Sequence, residues 1–215
     1  MAYVDLNADP YGGHRRLLRL CGNPQVVLDA GGSSGYLSSA LAERGARVIV
    51  ADVDDAAVAE ALAAGRAAYR VDLSVEVPPL EPGSVDLLVL ADVLEHLADP
   101  VSALQRLRPL LAPDARLVAS VPNGANWALR LQLLAGRWQY TDRGLLDRTH
   151  LRNFTRRSFH ECLEEAGFEV VEADLTCPVP MFRGGRISAV AYHVGRLRPG
   201  LLAYQHLALA RPRPG

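Results

Sequence analysis

Lysine is missing: all 23 basic residues of the chain are arginine. Without a side-chain amine there is no Schiff base to pyridoxal phosphate or to a carbonyl substrate, and no P-loop lysine to reach nucleotide phosphates. Aldolases, transaminases and Walker-type NTPases are excluded on that ground. Cysteine is scarce, and Cys21, Cys162 and Cys177 share no C-x-x-C or other metal-ligand spacing. An odd number of unclustered thiols suits a reducing compartment, and a cytoplasmic location is expected. Long apolar runs are absent too. None reaches the ~18 residues of a membrane span, and the opening MAYVDLNADPYGGHRR lacks the apolar stretch of a secretory leader. Nor is positive charge in surplus: 23 basic against 24 acidic residues leave a formal charge of -1. Such a balance gives no field to draw in a nucleic-acid backbone. Neither a nucleic acid nor a membrane is expected as a partner.

What is present is a chain of 215 residues, 49% of them apolar, enough for a single domain over 1–215 with a substantial core. Leu17, Leu18 and Cys21 fall at helical spacing before the stop Gly22-Asn23-Pro24. From Val26 onward the pattern alternates. The stretches 26–28, 48–51, 85–90 and 117–121, rich in Val and Leu, predict strands, and a short strand is expected around 69–71. Between them, 35–45 and 55–64 carry apolar residues at helical spacing and stop at Gly45 and Gly65, while Asp99-Pro100 caps a helix over 100–107. This alternation predicts an α/β fold with a Rossmann-like, doubly wound, mostly parallel sheet covered on both faces. It breaks between Pro122 and Phe154, so 123–154 reads as a helical inserted segment after the fifth strand. A helix capped by Thr155 and stopped by Gly167, a strand at 168–173, a helix at 187–194 and a strand at 201–210 complete seven strands as an αβαβ part over 155–210. Residues 211–215 read as a loose tail.

In an open parallel sheet a ligand lies beyond the carboxyl ends of the strands. Asp29, Asp52, Asp72 and Asp92 fall there, at intervals of roughly twenty residues, the length of a βα unit. Between the first strand and its helix lies Gly31-Gly32-Ser33-Ser34-Gly35, whose lack of bulk lets a ligand approach the backbone and the helix N-terminus. It is not a dinucleotide cradle. Counted from Gly31, G-x-G-x-x-G meets Ser33 and Tyr36; counted from Gly32, it meets Ser34 and Leu37. A nicotinamide-dependent oxidoreductase is therefore the weaker reading. Asp52, at the end of the second strand, is placed to accept hydrogen bonds from ribose hydroxyls.

Taken together, VLDAGGSSGYL, VADVDD, VDL, VDLLVLADVLEHLADP and VPN resemble the class I S-adenosylmethionine-dependent methyltransferases over roughly residues 10–210. RLQLLAGRWQY and RGLLDRTHLRNFT further downstream are similar to the small-molecule branch of that family. The resemblance implies S-adenosylmethionine as methyl donor, S-adenosylhomocysteine as product, and 10–122 as the cofactor-binding half. Matched position by position, Asp29, Gly31, Gly32, Ser33 and Gly35 surround the methionine half, and Asp52 with Val53 the ribose. Asp72 and Leu73 match the adenine-contacting pair. Ala91, Asp92 and His96 match the wall between cofactor and methyl-transfer cleft. The family usually has Gly where Ser33 stands. Its substrate wall corresponds to the inserted segment, which makes Trp127, Trp138, Tyr140 and Arg148 the candidates for contacting the acceptor.

A sulfonium already activates its methyl group, so the protein must chiefly align nucleophile, carbon and sulfur, and no metal is required. A hydroxyl acceptor needs a base near neutral pH; His150 is the preferred candidate and His96 the second. Each candidate has a plainer reading. Asp92 and Glu95 have the D-x-x-E spacing of a capping box. The two tryptophans and Tyr140 equally fit a core beneath the pocket. Arg143, Arg148 and Arg152 suit either an anionic acceptor or a solvated face, and Arg156 and Arg157 read as solvated helix surface. Cys21 and Cys162 occupy apolar helical positions and belong to the core. Ala91 to Leu94 reads ADVL, without the N/D-P-P-Y/F step of amino-nitrogen base methylation. The expectation is an O-methyltransferase acting on a hydroxylated small molecule, a sugar or natural-product intermediate. An inactive cofactor-binding scaffold stands beside it, and monomer and homodimer both remain open.

Overall fold

Runs of Val, Leu and Ile without a polar face are stable as strands only where both sides of a sheet are covered. In the computed structural model, which describes residues 9–33, 35–179 and 185–213, these runs form one seven-stranded sheet. Its strands are β1 (Val26–Ala30), β2 (Arg47–Asp52), β3 (Ala67–Arg70), β4 (Val85–Ala91), β5 (Leu111–Pro122), β6 (Phe168–Thr176) and β7 (Gln205–Pro212). The order is β3-β2-β1-β4-β5-β7-β6, and β7 runs antiparallel to both of its neighbours. This is the expected doubly wound, mostly parallel α/β sheet. The strand order reverses between β1 and β4, which sets the ligand position over their carboxyl ends.

Eight helices attend the sheet among the described residues: α1 (Gly13–Cys21), α2 (Tyr36–Glu43), α3 (Asp55–Ala63), α4 (Pro100–Leu107), α5 (Trp127–Leu134), α6 (Arg156–Glu165), α7 (Gly185–Leu197) and α8 (Pro199–Leu202). Because side chains alternate along a strand, each inner strand feeds two cores. Leu28, Leu88 and Leu117 pack with Leu104, Leu107, Phe159 and Leu163. Val27, Leu87 and Val118 pack on the other face with Leu17, Cys21, Leu37 and Leu41. Local signals set the helix ends. Asp99 accepts from the Ser102 N–H at 3.1 Å, Thr155 and Ser158 form a reciprocal capping box, and Gly167 takes φ +87 where α6 stops.

Several boundaries differ from the sequence expectation. β5 begins at Leu111, not Leu117, pairing with Val85 before a shift in register. β3 covers Ala67–Arg70, two residues earlier than expected, and α7 extends to Gly185 and Leu197. Pro199 starts a helical turn, its fixed φ suiting that position, so the last strand begins at Gln205 and not at Leu201. The loose tail is corrected as well. Arg211 and Pro212 pair with Glu169 and Phe168 of β6, and the Arg213 N–H donates to the Gly167 carbonyl at 2.9 Å; residues 214–215 lie outside the described chain. The inserted segment contains α5 followed by irregular backbone, closed at its base by a bridge between Asn123 and Phe154. Buried Asn123 and Asn126 anchor it, each donating from its side-chain amide to the Ala203 carbonyl at 2.8 Å. Among the described residues no helix is long and apolar enough to cross a membrane.

Candidate functional site

Past Ala30 the chain must turn from the centre of the sheet into α2 within a few residues. Gly31 (φ +77), Ser33 (φ +36) and Gly35 (φ +67) all take left-handed backbone to do so. A Cβ at Gly31 would stand 2.5 Å from Cγ2 of Val93, and one at Gly32 3.0 Å from Oδ2 of Asp29. Glycine at 31 is thus required by conformation and by the close passage of the chain leaving β4. The bend is pinned from β2: the Gly31 N–H donates to the Ala51 carbonyl at 2.7 Å, and the Ser33 N–H to Oδ2 of Asp52 at 2.9 Å. Oδ1 of Asp52 accepts from the Asp54 N–H, also at 2.9 Å. Each carboxylate oxygen has two lone pairs, so Asp52 keeps acceptor capacity beyond these two bonds.

The other candidates around this bend divide into lining and support. Asp29 is 2% exposed and accepts from the Ser38 hydroxyl at 2.5 Å, tying α2 to β1 beneath the bend. Burial pushes its carboxyl up to about 6. Val53 and Asp72 are exposed at the ends of β2 and β3, and Oδ1 of Asp72 accepts from the Ser74 N–H at 2.9 Å. Leu73 is packed into the core. Ala91, the last residue of β4, is half-buried.

A second cluster sits where β4 ends. Asp92 adopts φ +55, and its carboxylate accepts from the Ser120 hydroxyl at 2.8 Å and from the Gln205 amide at 2.6 Å. Burial raises its pKa, which those two hydrogen bonds partly oppose. The capping-box reading of Asp92 and Glu95 fails. Only a single 3-10 turn, Leu94–His96, follows, and neither carboxyl oxygen of Glu95 has a hydrogen-bond partner although the residue is 1% exposed. Burial lifts the Glu95 carboxyl well above the ordinary range, and the neighbouring charge of Asp92 adds to the lift.

The backbone carbonyl of Glu95 accepts from the N–H groups of Leu151 and Arg152 at 2.8 and 2.9 Å, fastening the inserted segment over the end of β4. His96 and His150 meet there edge to face, ring centroids 4.9 Å apart. Nδ1 of His96 lies 3.2 Å from the Thr149 carbonyl; a carbonyl only accepts, so Nδ1 is the donor in this contact. Burial lowers the pKa of His150 and the nearby His96 lowers it further, while the Asp147 carboxylate opposes both. A neutral imidazole at pH 7 follows. Glu95, His96 and His150 bring one ligand atom each within 4.8 Å of one another, a mixed imidazole and carboxylate set of the kind that holds divalent cations.

The acceptor candidates lie further out. Trp127, in the first turn of α5, is 50% exposed and Tyr140 57%, so neither closes the core; Trp138 is half-buried. Arg148 is held by Asp142 at 2.7 Å in an exposed ion pair. Arg152 braces the Ala98 carbonyl at 2.8 Å, and Arg157 pairs with Glu161 along the outside of α6. Cys21 and Cys162 are buried as expected, their thiols pushed up to about 12 and about 11 by burial. Sequence reasoning missed three partners at the cluster. Glu95 imitated a helix cap, and Ser120 and Gln205 reach Asp92 only through strand pairings with no local signature.

A seven-stranded sheet whose order reverses between β1 and β4, with a glycine bend beyond β1, places the chain in the doubly wound α/β class. More narrowly, the chain belongs to the Methyltransferase domain family, whose profile matches residues 10–173. It is 32% identical over 152 residues to the ubiquinone biosynthesis O-methyltransferase of Pseudomonas aeruginosa, covering 67% of this chain and 64% of that protein. It is 32% identical over 163 residues to the tRNA 5-carboxymethoxyuridine methyltransferase of Escherichia coli, covering 67% and 60%. The chain therefore spans less than two thirds of the length of these relatives. Its fold matches the crystal structure of the Burkholderia thailandensis 1,6-didemethyltoxoflavin-N1-methyltransferase with bound 1,6-didemethyltoxoflavin and S-adenosylhomocysteine. That match has a TM-score of 0.62 and 20% identity and covers 95% of this chain and 80% of the other.

Proposed function

We propose that this chain transfers a methyl group from S-adenosylmethionine to the hydroxyl of a small-molecule acceptor, with His150 as the base. The observation that carries the reading is the convergence of the Gly31–Gly35 bend and Asp52 at the β1/β4 switch point, next to a neutral His150 beside His96. The residues present fit an adenosyl ligand. The bend carries no bulk, Asp52 has acceptor capacity left for ribose hydroxyls, and exposed Asp72 and Val53 stand at the next strand ends. Family membership and the O-methyltransferase relative support the same donor and the same kind of acceptor. When bound, the donor supplies an electrophilic methyl on a sulfonium whose departure leaves a neutral thioether.

This chain's share of the work is position and proton transfer. Asp52 and the backbone of the bend orient the ribose and methionine parts. The inserted segment, clamped by the Glu95 carbonyl, sets His150 over the cleft. As the acceptor oxygen forms its bond to the methyl carbon, its proton passes to the free nitrogen of His150, which the Asp147 carboxylate stabilises once charged. Trp127, Trp138 and Tyr140 offer aromatic surface to the acceptor. Calorimetry with S-adenosylmethionine and S-adenosylhomocysteine, followed by turnover screens on hydroxylated metabolites and on RNA, tests the reading. Micromolar binding of both compounds and turnover on a small hydroxylated acceptor are expected. Absence of binding, or turnover on RNA alone, overturns it.

A further inference from the structure

Away from the crevice, a cleft of about 150 Å³ opens between α6, the edge formed by β6 and β7, and the end of α7. Its wall carries two arginines and two histidines. Arg156 and His160 come from successive turns of α6, Arg196 from α7, and His206 from β7, where it pairs in register with Leu175. Among the described residues neither Arg156 nor Arg196 forms an ion pair. Asp174 also touches the cleft, but its oxygens are taken by Arg16, Arg19, the Tyr192 hydroxyl and the Leu175 N–H. The one acid of the lining is thus ion-paired from behind, which leaves Arg156 and Arg196, among the described residues, as the unpaired charges of the wall.

His206 gives the cleft its point. The residue is 2% exposed, and its Nε2 is buried without a hydrogen-bond partner. An unpaired nitrogen in such a place costs free energy unless a ligand satisfies it. Burial holds its pKa down, to about 4, and the neighbouring Arg156 and His160 add to the lowering. An oxyanion would reverse each of these conflicts at once. It would accept from both arginines, and its negative charge would favour proton uptake from solvent by His206, turning that nitrogen into a donor.

We propose that this cleft is a binding site for a phosphate-type oxyanion, held by Arg156, His160, Arg196 and His206. The proposal does not depend on the methyl-transfer reading. The arginines of α6 and α7 are exposed, so their glutamine variants keep the fold.

The test is an NMR titration of the imidazole signals of the intact chain with inorganic phosphate, against chloride at equal ionic strength. Saturable shifts at His206 and His160, a rise in both of their pKa values, and roughly tenfold weaker binding in each of Arg156→Gln and Arg196→Gln are expected. A parallel titration with phenyl phosphate separates the sources. Tighter binding than inorganic phosphate assigns the anion to a larger molecule, and equal binding assigns it to the free ion. Shifts that fail to saturate, or that persist unchanged in both variants, overturn the proposal. S-adenosylmethionine binding measured on the same variants reports separately on the methyl-transfer reading and should not change.

Discussion

Asp52 and Glu95 are both buried carboxyls at the carboxyl end of the sheet, yet their surroundings are opposite. Each oxygen of Asp52 holds a backbone N–H, from Ser33 and Asp54; neither oxygen of Glu95 holds anything. The first carboxyl is a brace that stays an acceptor, and the bend it supports is part of the scaffold. The second is pushed toward its neutral form by burial, a few ångströms from two imidazoles, and adds nothing to the fold that an apolar residue could not. Saturated polar groups here build shape. Unsaturated ones, Glu95 at the crevice and His206 at the cleft, are the places where the two proposals above would supply a missing partner.

The comparison breaks first at His150. If the unsaturated end of the crevice performs the chemistry, His150→Ala lowers turnover by about 10²–10⁴-fold, while S-adenosylmethionine affinity by calorimetry stays within about twofold. In the parent protein the pH profile of kcat/KM should fall only below the ordinary histidine pKa, because burial and His96 lower that of His150. Equal losses of turnover and of cofactor affinity would instead put His150 in the binding wall.

Next in size is an effect on stability. The folded-state pKa of His206 is depressed from 6.5 to about 4, so between those values the unfolded chain binds a proton that the folded chain excludes. Stability is therefore complete above the unfolded value and is lost as pH falls toward the folded one, by up to about 3 kcal/mol. Urea melts across that window measure it, and His206→Gln should flatten the slope. Asp52→Ala tests the saturated side. It removes charged acceptors worth about 1.5–3 kcal/mol, so cofactor binding should weaken by about 10–100-fold. An unchanged affinity would reduce Asp52 to a purely structural brace.

Where the sequence could be read correctly, the cause was local. β1, β2 and β4 are dominated by Val, Leu and Ile, and the caps at Asp99 and Thr155 lie within three residues of the groups they satisfy. The aspartates at strand ends follow from the repeat of the βα unit. What escaped was non-local. The early part of β5 contains Pro113 and Asp114, which read as a break, and becomes strand because Val85 pairs with Leu111. Arg211 and Pro212 look like a tail until β6 pairs with them. Glu95 was hidden by imitation: D-x-x-E is a sound local rule, and tertiary burial overrode it. His206 carried no signal, because its neighbours Arg156 and His160 come from a helix some fifty residues earlier.

The bend itself offers a smaller test. Ser33 sits at φ +36, a region that costs a residue with a Cβ about 1 kcal/mol relative to glycine. Its N–H bond to Asp52 is a backbone bond, so it survives substitution. Ser33→Gly should therefore raise stability by up to about 1 kcal/mol in denaturant melts, less the entropy that glycine adds to the unfolded chain. A loss would mean that the Ser33 side chain supports the bend after all.

The mildest perturbation probes Glu95 directly. Its folded-state pKa is raised, so above its ordinary value the folded chain keeps a proton that the unfolded chain has released. Wild-type stability therefore drains as pH climbs from that ordinary value toward the raised one, opposite in sign to His206. Glutamine keeps the shape of a neutral carboxyl and cannot ionise. At about pH 4 Glu95→Gln should match the wild type within about 0.5 kcal/mol, and the variant should gain on it steadily as pH rises. Parallel curves across the whole range would mean that Glu95 is ionised and paired in the folded protein, which would erase the contrast with Asp52.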